Sequence, residues 1–191
     1  MFQRWFEAVR QAMDADRGDW GFADRYEAKG RDGSHEGVIA MALASAGFCR
    51  EPPAYPRSAR LRADGVVSHQ AHAGQRLRYE LKSVFLPHYH SAEHPHNADF
   101  ERLLRVEHPN GALGDIDRLR EADDDVKVFL LLGLSWSEVD EPEKLATYEQ
   151  HRSVLLDSFQ RLAHLPSPSA SHDIRGIQKP WSAVARAWRI E

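Results

Sequence analysis

The chain has 191 residues, of which 42% are hydrophobic and 28% charged, a composition that is typical of a globular protein and excludes a disordered or fibrous one. Its formal net charge is −4 and neither half is strongly basic, so charge does not support nucleic-acid binding, although it does not exclude a local basic groove. Cys49 is the only cysteine, and the longest apolar run, Val128–Leu134, is far shorter than the roughly 18 residues of a membrane-spanning helix. We therefore expect a soluble, cytoplasmic protein with no membrane partner.

The first third of the chain predicts two helices. Apolar residues at helical spacing indicate an amphipathic helix over 2–14, followed by a loop rich in Asp, Gly and Arg. Ser34 is expected to cap a second helix over 35–46. The proline-rich stretch 48–56 is compatible with an edge strand.

Two alternating runs, 59–67 and 75–86, predict a β-hairpin. In the second run, Leu77, Tyr79 and Leu81 share one face, whereas Glu80 and Lys82 share the opposite face with two arginines.

The second half of the chain predicts a further strand between helices. In order, we expect a loop with four histidines over 87–96, short helices capped by Asn97 and Asp115 (the latter over 116–123), a buried strand over 126–134, a helix over 142–163, a flexible loop over 166–173 and a Trp-rich tail over 181–191. The order of elements predicts one α/β domain over 1–191 with a mixed sheet.

Asp64, Glu80 and Lys82 are the side chains most suited to catalysis. If Asp64 faces the same side of the hairpin as the other two, the carboxylates repel each other unless a cation joins them. Mg²⁺ accepts one or two carboxylates and completes its octahedron with water and phosphate oxygens. A lysine beside the metal can orient or deprotonate the attacking water. These features are what phosphodiester hydrolysis requires.

Asp64, followed sixteen residues later by Glu80-Leu81-Lys82, resembles the PD-(D/E)xK signature of nucleases with the restriction-endonuclease-like fold. The resemblance implies an αβββαβ core over about 34–135, with a central mixed sheet flanked by helices. The helix 2–14 and residues 142–191 would then be additions at the two ends. The residue before Asp64 is Ala63, where the signature has proline.

The resemblance also implies roles for single residues. Asp64, Glu80 and the backbone carbonyl of Leu81 would bind Mg²⁺ or Mn²⁺, and Lys82 would act on the attacking water. An upstream helix often supplies a further acid in this superfamily, and Glu36 stands at that place. The expected activity is therefore metal-dependent cleavage of nucleic acid, with DNA as the expected substrate.

Residues near the acids are candidates for contacts with the nucleic-acid backbone. The predicted substrate-binding residues are Arg60, Arg62, Arg78, His88 and His90. A homodimer or a protein partner is also compatible with the sequence.

The triplet by itself is weak support, because acid-x-lysine occurs three times in the chain. The other two triplets begin at Glu27, in a predicted loop, and at Asp125, at the start of the buried strand. Only Glu80-Leu81-Lys82 lies in an alternating strand that follows an acid-bearing strand.

Three alternatives remain open at this stage. In the first, the charges form a solvated strand face in which Arg76 and Arg78 pair with Glu80, Glu36 only complements a helix N-terminus, and Asp64 is a turn acid. The same fold could instead serve as a non-catalytic binding module or a subunit of a larger complex. Finally, His88, His90, His94 and His96 could form a zinc-binding loop.

Overall fold

The computed structural model describes residues 1–18, 21–25, 34–52, 54–55, 58–85, 104, 111–136 and 142–191. The helices in these ranges are α1 (Phe2–Ala15), α2 (Gly21–Asp24), α3 (His35–Ser45), α4 (Ala112–Arg120) and α5 (Pro142–Leu162). The strands are β1 (Phe48–Glu51), β2 (Ala54–Tyr55), β3 (Ser58–Arg62), β4 (Gly65–His69), β5 (Arg76–Phe85), β6 (Val126–Trp136), β7 (Ala170–Arg175) and β8 (Trp181–Arg189).

Six strands form one mixed sheet in the order β1-β4-β5-β6-β8-β7. Neighbouring strands are antiparallel except for β5 and β6, which run parallel and are separated in sequence by α4. The β2–β3 pair forms a separate two-stranded sheet. The protein is therefore an α/β protein with an open mixed sheet, as the order of predicted elements indicated.

Helices cover both faces of the sheet. One face packs against α1 and α3 through residues such as Trp5, Ile39 and Leu77. The opposite face packs against α4 and α5 through residues such as Ile116 and Phe159. Because β6 contributes apolar side chains to both layers, the predicted central strand over 126–134 is confirmed, with two more residues at its end.

The predicted helices agree with the structure near their expected bounds, and Ser34 accepts a hydrogen bond from the Gly37 amide as an N-cap. The helix expected over 116–123 begins earlier, at Ala112, with Gly111 at the cap position. The prediction that Asp115 caps this helix was therefore wrong, because Asp115 lies inside the first turn and is buried. Asn97 lies outside the described residues.

The strand predicted over 59–67 is two strands, because the chain passes from the small sheet to the main sheet at Ala63 and Asp64. The second of them, β4, forms the predicted hairpin with β5 through a short 3-10 turn over Gln70–His72. Asp64 therefore lies at the bend between two sheets and not within a strand.

The carboxyl-terminal region differs most from its prediction. The expected loop over 166–173 contains the start of β7, and the expected tail is the strand β8, which pairs with β6. Trp181 and Trp188 are both 0% exposed, each in a different core layer. Small residues at Ala183, Ala185 and Ala187 leave room for the close packing of helices on one face of this strand.

No helix in the described part of the chain is long and apolar enough to cross a membrane.

Gly65 at the start of β4 is required by its neighbour across the ladder. A Cβ atom at this position would lie 2.3–2.4 Å from the ring and hydroxyl atoms of Tyr79, which is closer than non-bonded atoms can approach. We expect Gly65→Ala to lower the free energy of unfolding by about 1–3 kcal/mol, as overpacking typically does. Urea denaturation would measure this, with Gly18→Ala as the control, since a Cβ there meets nothing within 4 Å. Equal stability of the two variants would contradict the packing described here.

Candidate active site

Asp64 is fixed by the backbone of β5. Its Oδ2 atom accepts a hydrogen bond from the Leu81 amide at 2.6 Å. The described ladder between β4 and β5 ends with Gly65 opposite Tyr79, so the Leu81 amide lies beyond the last strand pair and takes the carboxylate as its partner. An extended residue directs its N–H and C=O to the same neighbour, and the Leu81 carbonyl therefore faces the side on which Asp64 lies.

Glu80 directly precedes Leu81 on β5. The β4–β5 ladder ends at Gly65 opposite Tyr79, one residue short of Asp64 on one strand and of Glu80 on the other. Glu80 is 3% exposed, so its charge is held away from bulk water. The structure thus brings Asp64, Glu80 and the Leu81 carbonyl to one end of the β4–β5 ladder.

Glu36 acts on the same region from another element. It lies in the first turn of α3 and is exposed. Burial is the main cause that raises the pKa of Tyr79 to about 12, and the carboxylates of Asp64, Glu36 and Glu80 each raise it further, while Arg50 lowers it. The three predicted acids therefore lie within electrostatic range of the Tyr79 phenol.

The position of α3 is set by a buried histidine beside Glu36. The Nε2 atom of His35 lies 2.9 Å from the Phe22 carbonyl, and its Nδ1 atom lies 2.8 Å from the Ser83 hydroxyl. Since a carbonyl can only accept, Nε2 carries the hydrogen and Nδ1 accepts from Ser83. Burial lowers the pKa of His35 to about 4, so the ring is neutral at pH 7. This contact joins the amino end of α3 to β5, one residue after Lys82.

Lys82 forms an ion pair that the sequence did not predict. Its Nζ atom lies 2.6 Å from Oδ2 of Asp115 on α4, and the Asp115 side chain is only 2% exposed. The second oxygen of Asp115 pairs with Arg118 one turn later. The ammonium therefore lies on the face that Glu80 shares, and it is held from the side of α4.

Arg78 is placed differently from its prediction as a substrate contact. It is 1% exposed, and its guanidinium pairs with the buried carboxylate of Asp124, which also lies 3.2 Å from Arg76. A side chain buried in this way is closed to a nucleic-acid backbone. The sequence missed the pairing because Asp124 comes from the turn before β6, far along the chain.

The other predicted substrate contacts are placed only in part. Arg60 and Arg62 belong to β3, in the small two-stranded sheet. This strand ends two residues before Asp64. His88 and His90, with the rest of the proposed zinc-binding loop, lie outside the described residues.

Among the residues that the structure describes, no three His, Cys, Asp or Glu side chains come close enough together to hold a metal ion. The arrangement at β4 and β5 consists of two carboxylates and a backbone carbonyl, and this is a smaller donor set. Mg²⁺ is commonly bound by one or two carboxylates, with water and phosphate oxygens as its remaining ligands.

Comparison with known proteins gave no relative: no protein-family model, no curated protein and no solved structure matches this chain.

Proposed function

We propose that this protein is a metal-dependent nuclease with a PD-(D/E)xK-type site, and that DNA is its substrate. The observation that carries the proposal is the contact between Asp64 and the Leu81 amide, next to Glu80. It holds Asp64 at the end of the β4–β5 ladder, against the residue that follows Glu80 on β5.

The order of elements supports the same proposal. From α3 onward, the elements of the main layer follow in the order helix, three antiparallel strands, helix and strand. The last strand, β6, is parallel to its neighbour β5. This order is consistent with the αβββαβ core that the sequence resemblance implies. The small sheet of β2 and β3 is inserted between the first two of these strands.

Asp64, Glu80 and the Leu81 carbonyl would hold Mg²⁺ or Mn²⁺, and Glu36 would support this site from α3. The metal would supply Lewis-acid activation of a phosphate oxygen and of a bound water. The carboxylates of Asp64, Glu36 and Glu80 favour such a cation, because each of them raises the pKa of the Tyr79 phenol and so adds negative potential to this region.

Lys82 would act from the face that it shares with Glu80. Two residues along a strand are ~7 Å apart, so an ammonium on this face would reach water and phosphate bound at the carboxylates. It would orient the attacking water and stabilise the negative charge that develops on phosphorus oxygens. Arg60 and Arg62 on β3 would contact the DNA backbone beside Asp64.

The proposal is tested by incubating the chain with plasmid, linear duplex and single-stranded DNA, and with RNA, in Mg²⁺, in Mn²⁺ and with a chelator. We expect cleavage of DNA with either metal and none with the chelator. Asp64→Asn and Glu80→Gln should each abolish it. Metal should also raise the melting temperature of the wild type, since binding at 100 times the dissociation constant stabilises a native state by about 2.7 kcal/mol. Absence of cleavage on every substrate would contradict the proposal.

A second candidate function is a non-catalytic binding module, which acts either as a homodimer or as a subunit of a larger complex. The burial of Glu80 and the ion pair between Lys82 and Asp115 favour it, because both are also found in structural charge networks. A gel-shift experiment beside the cleavage assay separates the two candidates. A binding module would retard DNA in the gel with and without metal, and it would not cleave the DNA.

A further inference from the structure

We propose that Asp115 is a positioning residue for Lys82, and this inference rests on the proposed nuclease function. Nothing in the sequence signature assigns a role to Asp115. Its carboxylate is nevertheless the described partner of the lysine in the Glu80-Leu81-Lys82 triplet, at 2.6 Å from Nζ.

Asp115 is attached to a rigid part of the molecule. It lies in the first turn of α4, which is packed on the sheet by Ala112, Ile116 and Leu119. These side chains belong to the core layer that includes Val84, two residues after Lys82 on β5. The carboxylate is therefore fixed relative to the strand that carries the catalytic triplet.

The two oxygens of Asp115 have different partners. Oδ1 pairs with Arg118 on the same helix, which holds the carboxylate in one rotamer. Oδ2 is buried and accepts no hydrogen bond of good geometry in the described part of the chain. The ammonium of Lys82 at 2.6 Å is thus the group that compensates the charge on this oxygen.

This arrangement restricts an otherwise flexible side chain. Lysine has a four-carbon stem and an ammonium with three donors, and ordering it costs conformational entropy. The ion pair with Asp115 fixes the position of the ammonium, whose N–H donors are the groups that would contact water and phosphate. Because the lysine side chain is 18% exposed, these donors are within reach of solvent at the edge of the site. Asp115 therefore fixes where the ammonium lies.

A double-mutant cycle tests the proposal with the full chain, plasmid DNA and Mg²⁺. We expect Asp115→Asn to lower kcat about tenfold, with KM and the metal concentration for half-maximal rate unchanged, as the loss of a supporting partner typically does. In a Lys82→Ala background, the same change should have no further effect on kcat. Asp115→Glu, which keeps the charge, should recover part of the rate in the single variant.

Asp117→Asn is the matched control, because Asp117 lies on the same helix, is exposed and pairs with Arg120 at 2.9 Å. It should leave kcat unchanged. If the Asp115 and Lys82 effects multiply, Asp115 acts on the fold and not through Lys82, and the proposal is overturned while the nuclease function stands. If the wild type cleaves nothing, both are overturned. Circular dichroism at the assay temperature identifies a variant that has unfolded. If Asp115→Asn unfolds, Asp115→Glu is compared with the wild type instead. An unchanged KM with a reduced kcat then supports the proposal.

Discussion

Lys82→Ala is expected to reduce metal-dependent DNA cleavage by about 10²-fold or more, the usual effect of removing a positioned acid–base or charge-stabilising group. The reduction should appear in kcat, because Lys82 would interact with the transition state more strongly than with bound DNA. The measurement is the initial rate of plasmid cleavage at saturating Mg²⁺.

The structure also gives this variant a folding cost that the strand pattern did not indicate. Without the ammonium, the buried Asp115 carboxylate keeps Arg118 alone, and breaking one partner from a buried ion pair is destabilising. Rates should therefore be compared below the melting transition of the variant.

Lys127→Ala is the matched control for this experiment. Lys127 ends the triplet Asp125-Val126-Lys127, at the start of β6, and its Nζ donates to the Arg120 carbonyl at 3.3 Å. It has the same residue type and the same local pattern as Lys82 without carboxylates of the site beside it. We expect its cleavage rate to equal that of the wild type. Unchanged cleavage by Lys82→Ala would remove that lysine from the mechanism.

Acidification is expected to destabilise the fold through His35. Burial lowers the pKa of this side chain from 6.5 to about 4, so the neutral form is the one that the folded state holds. Between these values the unfolded chain binds a proton that the folded chain does not, and stability falls as the pH decreases. The difference corresponds to about 3 kcal/mol, at 1.36 kcal/mol for each pKa unit, and below pH 4 it does not grow further.

The loss of stability in acid also has a structural cause in the surroundings of His35. Protonated His35 would carry a hydrogen on Nδ1, and this atom now accepts from the Ser83 hydroxyl. The Ser83 hydroxyl would then have to rotate and accept from Nδ1, and a cationic ring would be buried beside Glu36 on α3. Acid should therefore loosen the candidate site before it affects the helices on the opposite face.

Urea denaturation at pH 7 and pH 4.5 measures this effect. His35→Gln cannot titrate and should lose less stability than the wild type over this range, whatever its stability at pH 7. His151→Gln, on an exposed position of α5, should retain the pH dependence of the wild type. Equal pH dependence in all three proteins would contradict a buried neutral His35.

The sequence determined by itself the parts of this protein that local patterns encode. Alternation along 75–86 predicted which residues of β5 share a face, and the structure places Leu77 and Tyr79 in one core layer with Glu80 and Lys82 opposite. The apolar run after Val126 predicted a central strand, because burial on both faces leaves no polar positions. Ser34 predicted the start of α3, since a cap bonds to an amide three residues away.

The tertiary structure alone decided the partners of the charged side chains. Arg78 pairs with Asp124 and Lys82 with Asp115, and both acids follow in sequence only after the long segment between β5 and α4. Trp181 and Trp188 are buried because β8 pairs with β6, although their own segment gives no sign of which strand it meets. Local periodicity fixes the face on which a side chain lies, whereas its partner depends on which distant element the sheet brings beside it.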